Sequence, residues 1–257
     1  MDIGIRGEVD RTEIQLRTAS AQGLSKEILD NPIWASLSGN HRRFAVGSNG
    51  VKRYPRTIAP FVAVGSAAAI RGPELIERID QDEEVYIVGV IPETMQGVQV
   101  LSHNSVLQMV CSEPIAVNEG GSEIVPLGEE SVPEMQALTA LVYPRFFRAR
   151  THELGRYFGI WQDGRLAAMA GERISMENYR EISGVCTHPD FQRRGYSKML
   201  ITRVANGTLA EGNLPFLHVD VENEKAISLY RSLGFVNANV VPMVLVRRTG
   251  TEPGLSA

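Results

Sequence analysis

A mixed α/β fold with a largely antiparallel start to its sheet is what this sequence predicts, and three observations carry that prediction. The 257 residues are 43% apolar and 22% charged, enough to build a sizeable core and too apolar for a disordered chain. Residues 122–257 read as strand, helix, three strands, helix, strand, helix, strand. Gln162-Asp163-Gly164 stands between the strand patterns RYFGIW and RLAAMAGERI as a hairpin signal.

Residues 1–24 are polar with weak periodicity and predict a loosely held arm. A helix follows over Lys26–Leu37, with Pro32 near its start or breaking it. PFVAV (60–64), VYIVGVI (85–91) and VQVLSHNSVLQMV (98–110) read as strands. PELIERID (73–80) reads as a helix with Pro73 in its first turn. No chemical motif stands out in this half. NEGGSE (118–123) reads as a turn or linker, so residues 25–121 and 122–250 are expected as two domains, with 251–257 as a tail.

Beyond the linker, EIVPL (123–127) predicts a strand and SVPEMQALTALVY (131–143) a helix. Ser131 and Glu134 there have capping-box spacing. YREISGVCT (179–187) predicts a strand, Gly195 to Glu211 a helix closed by Gly212, and LPFLHVDV (214–221) another strand. Asn223–Leu233 predicts a helix with Asn223 as N-cap, and VVPMVLV (240–246) the last strand.

Charge narrows the function classes. Residues 1–121 carry 11 Lys+Arg and 15 Asp+Glu, a balance of −4, whereas residues 122–257 carry 15 of each, a balance of 0. A chain without a basic surplus is not expected to hold a nucleic acid backbone. Two cysteines, Cys111 and Cys186, cannot form a multi-bridge framework and favour a reducing compartment. The charged N-terminus has no apolar core of a signal peptide, and no run of about 20 apolar residues spans a bilayer. The expectation is a soluble cytoplasmic protein without a membrane partner. No Cys/His cluster has zinc-ligand spacing, so no metal is expected.

The chemistry concentrates in VCTHPDFQRRGYS (185–197). A buried strand ends at Pro189, and a turn with Arg193, Arg194 and Gly195 opens a helix. The first N–H groups of a helix lack internal partners and lie at the positive end of its dipole, so such a turn can cradle a phosphate. Taken alone, it is equally a strand-to-helix turn with a solvated arginine pair. Some thirty residues later comes Asn223…Ala226…Tyr230…Gly234-Phe235, with Ala226 and Tyr230 on one helix face.

QRRGYS after a strand, followed by Asn…Ala…Tyr…Gly-Phe, resembles the GNAT superfamily of N-acetyltransferases over about residues 122–247. LGRYFGIW, EISGVCTHP and AISLYRSLGF resemble a subgroup with a distinct N-terminal half. The resemblance implies a mostly antiparallel central sheet with helices on both faces, preceded by a smaller, degenerate GNAT-like half. It implies acetyl-CoA as cosubstrate, held in a wedge between the strands at 179–187 and 214–221. Val185, Cys186 and Thr187 would meet the pantetheine arm. Gln192, Arg193, Arg194, Gly195, Tyr196 and Ser197 would form the pyrophosphate turn, Ser197 standing where Gly or Ala is usual. Asn223 and Ala226 would line the arm, and Tyr230 would protonate the departing thiolate.

Glu181, eleven residues before Gln192, stands at the offset of the catalytic glutamate in some histone-type members. It is equally a strand carboxylate paired with an arginine, and Glu172 is a second candidate. Regular alternation puts Glu181, Ser183, Val185 and Thr187 on one face and Cys186 on the other, which favours direct attack over a thiolate intermediate. His218 and Asp220 share a face of their strand, as acceptor contacts or as hydrogen-bonded partners. Phe146, Phe147, Arg148 and Arg150 lie where an acceptor wall is common. The expected activity is transfer of acetyl to a primary amine of a small molecule or peptide, by a monomer or homodimer. The alternative is a non-catalytic acyl-CoA-binding or regulatory module.

Overall fold

The computed structural model describes residues 27–48, 50–68, 74–117 and 121–249. The expected arm, tail and part of the linker lie outside them. Eleven strands and five helices follow one another along the described chain: α1 (Glu27–Asp30), α2 (Pro32–Ser38), β1 (Val46–Gly47), β2 (Val51–Arg53), β3 (Val62–Val64), β4 (Glu84–Val88), β5 (Val98–Val110), β6 (Val125–Leu127), α3 (Val132–Val142), β7 (Tyr157–Gln162), β8 (Arg165–Met176), β9 (Tyr179–Thr187), α4 (Tyr196–Ala210), β10 (Leu214–Asp220), α5 (Glu224–Ser232) and β11 (Val236–Arg248).

Strands β1 to β3 form a small antiparallel sheet, and the rest build one eight-stranded sheet in the order β4-β11-β5-β10-β9-β8-β7-β6. Only β9 and β10 run parallel among its paired strands. Strand β5 lies between β11 and β10, so the division expected at residue 121 runs through one hydrogen-bonded sheet.

Strand β8 is buried along both faces except Arg165, because helices cover the sheet on each side. On one side Leu200, Ile201 and Val204 of α4 and Ile227 of α5 pack against Ile182, Leu217 and Val219. On the other, Met135 and Leu138 of α3 pack against Met169 and Cys186, and Ile33 and Leu37 of α2 join a cluster with Tyr179 and Phe216. The predicted mixed fold with helices on both faces is thus observed.

Local expectations fare unevenly. Pro32 does break the first helix in two, opening α2 at its N-terminus. The helix expected over 73–80 is only a 3-10 turn at Ile76–Arg78, with Pro73 outside the described residues. Ser131 makes no side-chain cap, because a 3-10 turn at Glu129–Ser131 already gives it helical backbone before α3. Strand β11 begins at Val236, four residues earlier than its apolar run, because β5 offers partners back to Val110. Among the described residues, no helix is long and apolar enough to cross a membrane.

Candidate active site at the splay of β9 and β10

The parallel pair β9–β10 is bonded only at Tyr179–Leu214, Arg180–Pro215 and Glu181–Phe216. Beyond Glu181 the strands part, and the edge of β9 that faces β10 has no strand partner among the described residues. A bulge accompanies the parting. Met169 pairs Cys186 and Gly171 pairs Ser183, so two residues of β9, Gly184 and Val185, oppose only Ala170. Gly184 has φ +63, a left-handed conformation suited to glycine.

The bulge corrects the expected alternation. Ile182 and Val185 pack toward α4, whereas Cys186 packs with Met135 and Leu138 of α3. Cys186 therefore shares the sheet side of Glu181 and Ser183. Burial pushes its thiol up to about 12, so it stays protonated near neutrality, and that is what argues against a thiolate intermediate.

The turn before α4 has the expected character. Arg193 (φ +64) and Gly195 (φ +79) are both left-handed, and Gly195 is the N-cap. The first bond of α4 runs from Met199 N–H to the Gly195 carbonyl (3.1 Å), so the amides of Tyr196, Ser197 and Lys198 have no partner within the helix. A Cβ at Gly195 would meet nothing within 4 Å, so the backbone there is open to a ligand. Gln192, Arg193 and Arg194 are exposed, and Tyr196 is buried in the core under α4. The Ser197 hydroxyl pairs with that of Thr187 at 2.9 Å, tying the helix start to the end of β9.

On α5, Asn223 Oδ1 accepts from Ala226 N–H at 3.1 Å, so the side chain caps its own helix as expected. Tyr230 is half-buried, edge-on to Phe235. Burial pushes its phenol up to about 12, with Tyr143 and Cys186 adding to the shift. Its ring packs against the cluster on the α4 side of the sheet, with Ile182, Leu217 and Phe235.

Glu181, read from the sequence as a base or as a carboxylate paired with an arginine, is enclosed and paired with Arg173. Its side chain is 1% exposed and accepts from Arg173 Nη2 (2.6 Å) and Nε (2.9 Å), His218 Nδ1 (2.8 Å) and Ile174 N–H (3.2 Å). Burial opposes ionisation, but Arg173 and His218 outweigh it and hold the carboxyl at about 2. Gln108 Nε2 lies between the Leu29 carbonyl (2.9 Å) and His218 Nε2 (3.0 Å). This assigns His218 the Nδ1–H tautomer, with its Nε2 lone pair taken up by Gln108. Glu172 is likewise engaged, by Arg156 and Thr208. At the end of β10 the Asp220 carboxylate accepts from Glu222 N–H and its carbonyl from Asn223 N–H.

Sequence reasoning missed Arg173, Gln108 and the bulge. Arg173 lies in a strand that reads as apolar, and Gln108 sits opposite His218 only because β5 pairs with β10. The expected acceptor wall divides. Phe146 and Phe147 line a cleft with Tyr143, Arg173, Ser183 and Gly184, while Arg150 pairs with Glu153. Among the described residues, no group of three or more His, Cys, Asp or Glu side chains is arranged to hold a metal ion.

A sheet splayed at one parallel pair, with an open-amide turn beyond it, defines an acyltransferase-like scaffold, and comparison with known proteins agrees. The FR47-like protein family profile matches residues 157–242. A solved structure from Novosphingobium aromaticivorans, assigned to the GNAT family of acetyltransferases, is 36% identical. It superposes with a TM-score of 0.79 over 86% of this chain and 99% of its own. A GCN5-related N-acetyltransferase from Kribbella flavida shares the fold, at 17% identity and a TM-score of 0.59 over 90% of this chain and 98% of its own. The [ribosomal protein bS18]-alanine N-acetyltransferase of Salmonella typhimurium is 34% identical over 79 residues, 30% of this chain and 53% of that protein. The chain thus spans about half the length of the curated relatives it matches. It belongs to the GNAT family of acetyltransferases.

Proposed function

We infer that the protein transfers acetyl from acetyl-CoA to a primary amine of a small molecule or peptide, by direct attack. The observation that carries this reading is the parting of β9 from β10 after Glu181, with the open amides of Tyr196 to Lys198 at its far end. These residues fit the ligand: an unpaired strand edge for an amide-bearing arm, and an open helix start for a pyrophosphate. When bound, the cosubstrate supplies the activated acetyl group as a thioester.

The chain's own residues supply binding, orientation and protons. The free edge of β9 offers backbone donors where negative charge develops on the acyl oxygen. Tyr230, protonated at neutral pH, donates a hydrogen bond to the departing sulfur. Val185, Thr187, Asn223 and Ala226 border the wedge, and Gln192 to Ser197 border the phosphate turn. Glu181 holds Arg173 and His218 in place as a positioning residue, and the amine proton passes to water. The two buried, unbridged cysteines suit a cytoplasmic protein.

Tyr230→Phe tests the catalytic reading against a binding-only module. Calorimetry with acetyl-CoA should give the same Kd for both proteins, while kcat falls roughly 10²–10⁴-fold. Equal turnover would remove Tyr230 from the chemistry. A folded wild type that binds neither acetyl-CoA nor CoA would falsify the acetyltransferase reading.

A further inference from the structure

Side chains close the α3 side of the splay. Ser183 and Gly184, just beyond the last β9–β10 pair, lie with Tyr143, Phe146 and Phe147 around a cleft of about 10 Å³, room for a single water. On the other side α4 and α5 cover the sheet, and the phosphate turn opens α4. With the cosubstrate's pyrophosphate at that turn, an amine has to approach the reacting carbon from the α3 side. The aromatic segment after α3 bars that approach.

That segment is held by side chains. Residues 144–147 make no well-formed backbone hydrogen bond among the described residues. Phe146 stacks on Tyr143 (5.0 Å between ring centres) and on Tyr86 of β4 (4.6 Å), and it lies 6.0 Å from Phe61. Arg145 is 59% exposed and sits against the Tyr86 hydroxyl, 3.9 Å from Glu84. An exposed pair of that length is weak. Two costs stand against these contacts. Arg145 has φ +94, a backbone conformation that side chains other than glycine's rarely adopt. Arg148 Nε, at the far end, is buried without a partner among the described residues. Stacking set against strain, with no backbone ladder, suits a segment that takes two positions.

We propose that residues 143–147 are a lid over the acceptor side of the splay, latched to β4 by Phe146 on Tyr86 and by Arg145 on Tyr86 and Glu84, and that an amine reaches the thioester only when the lid lifts. The proposal rests on the acetyltransferase reading above and adds the gating of its site. Fixed structure resumes at both ends of the lid. Tyr143 N–H donates to the Thr139 carbonyl (2.8 Å), and Arg148 N–H donates to Thr151 Oγ1 (2.7 Å). Lifting takes the Phe146 ring away from Ser183 and Gly184 and releases the strain at Arg145. Tyr86 and Glu84 belong to the first half of the chain, so that half sets how readily the acceptor side opens. A closed lid weakens apparent acceptor binding by the fraction of molecules that are open. Loosening the latch therefore tightens acceptor binding, the opposite of what loss of a packing contact does.

The test puts a thiol in the cleft, Ser183→Cys, and follows its modification by N-ethylmaleimide in the full-length protein. The protein is saturated with desulfo-coenzyme A, which occupies the wedge and carries no thiol. The reagent is far larger than one water and must then enter from the α3 side. The chain without Ser183→Cys gives the background from Cys111 and Cys186. The expected rate is roughly a hundredfold below that of glutathione, about threefold higher with Arg145→Ala and about tenfold higher with Tyr86→Leu. In thiol release from acetyl-CoA with 2-phenylethylamine, the same substitutions should lower the amine KM by the same factors and leave the acetyl-CoA KM unchanged. A rate equal to that of glutathione, labelling only after unfolding, rates that neither substitution raises, or a raised amine KM each overturn the lid and leave the acetyltransferase reading standing. A folded protein that binds no acetyl-CoA in calorimetry removes both. Arg145 is exposed, so Arg145→Ala keeps the comparison open if Tyr86→Leu does not fold, and the labelling decides alone if that amine is not a substrate.

Discussion

Ser197 shows how one side chain can replace a missing rule. The GNAT turn usually has glycine or alanine there, and here a hydroxyl hydrogen-bonds Thr187 at 2.9 Å. The bond links the last residue of β9 to the second residue of α4, the two elements that bracket the phosphate turn. We expect Ser197→Ala and Thr187→Val each to weaken acetyl-CoA binding modestly. The double variant should be no worse than the worse single one, with a coupling of about 1 kcal/mol. Strict additivity in calorimetry would show that the two hydroxyls act independently. At this scale the sequence revealed positions better than partners. Glu181 could be placed by its distance from Gln192. That Arg173 would claim both its oxygens depends on the pairing of β8 with β9, which no local pattern encodes.

Strand β9 shows the same contrast at the level of an element. Its ends, Tyr179 and Thr187, follow from its apolar and β-branched run. Its bulge does not, because a glycine inside a strand is compatible with either flat pairing or a bulge. The consequence is large: a single unopposed residue moves Cys186 to the opposite face from the one that alternation assigns. Gly184→Ala forces a left-handed alanine whose Cβ lies 3.3 Å from Met169 Cε and Tyr157 Cε1. It should cost about 1–2 kcal/mol. Thermal unfolding should show a drop of several degrees, and an unchanged Tm would mean that the bulge relaxes. The helices α4 and α5 were legible almost residue by residue, because caps and apolar period agree there. The segment at 73–80 was not, since a proline and a short apolar stripe fit one helical turn as well as a helix.

For the whole molecule, the decisive fact is that β5 sits between β11 and β10. Leu29, Phe61 and Gln108 then reach the site from the first half, although that half shows no motif. Two buried titratable groups mark the join. Burial lowers His41 to about 4, where its Nδ1 meets the Tyr54 hydroxyl at 2.9 Å, and Ser36 carries the link on to the Ser175 carbonyl of β8. Its folded pKa lies below the unfolded value of 6.5, so its contribution to stability is complete above 6.5 and is lost as pH falls toward 4. Glu181 is held at about 2 against 4.5, so its contribution is complete above 4.5 and is lost as pH falls toward 2. Each displacement corresponds to about 3 kcal/mol at most. Acidification should therefore weaken the fold in two successive windows, first where α2 meets β8 and then at the splay. Melting temperature against pH would resolve them. His41→Gln should flatten the slope between 6.5 and 4 and leave the lower window in place, while Glu181→Gln should flatten only the lower one. If His41→Gln leaves the upper slope unchanged, the acid sensitivity arises elsewhere, and the junction of the two halves is not where protons act.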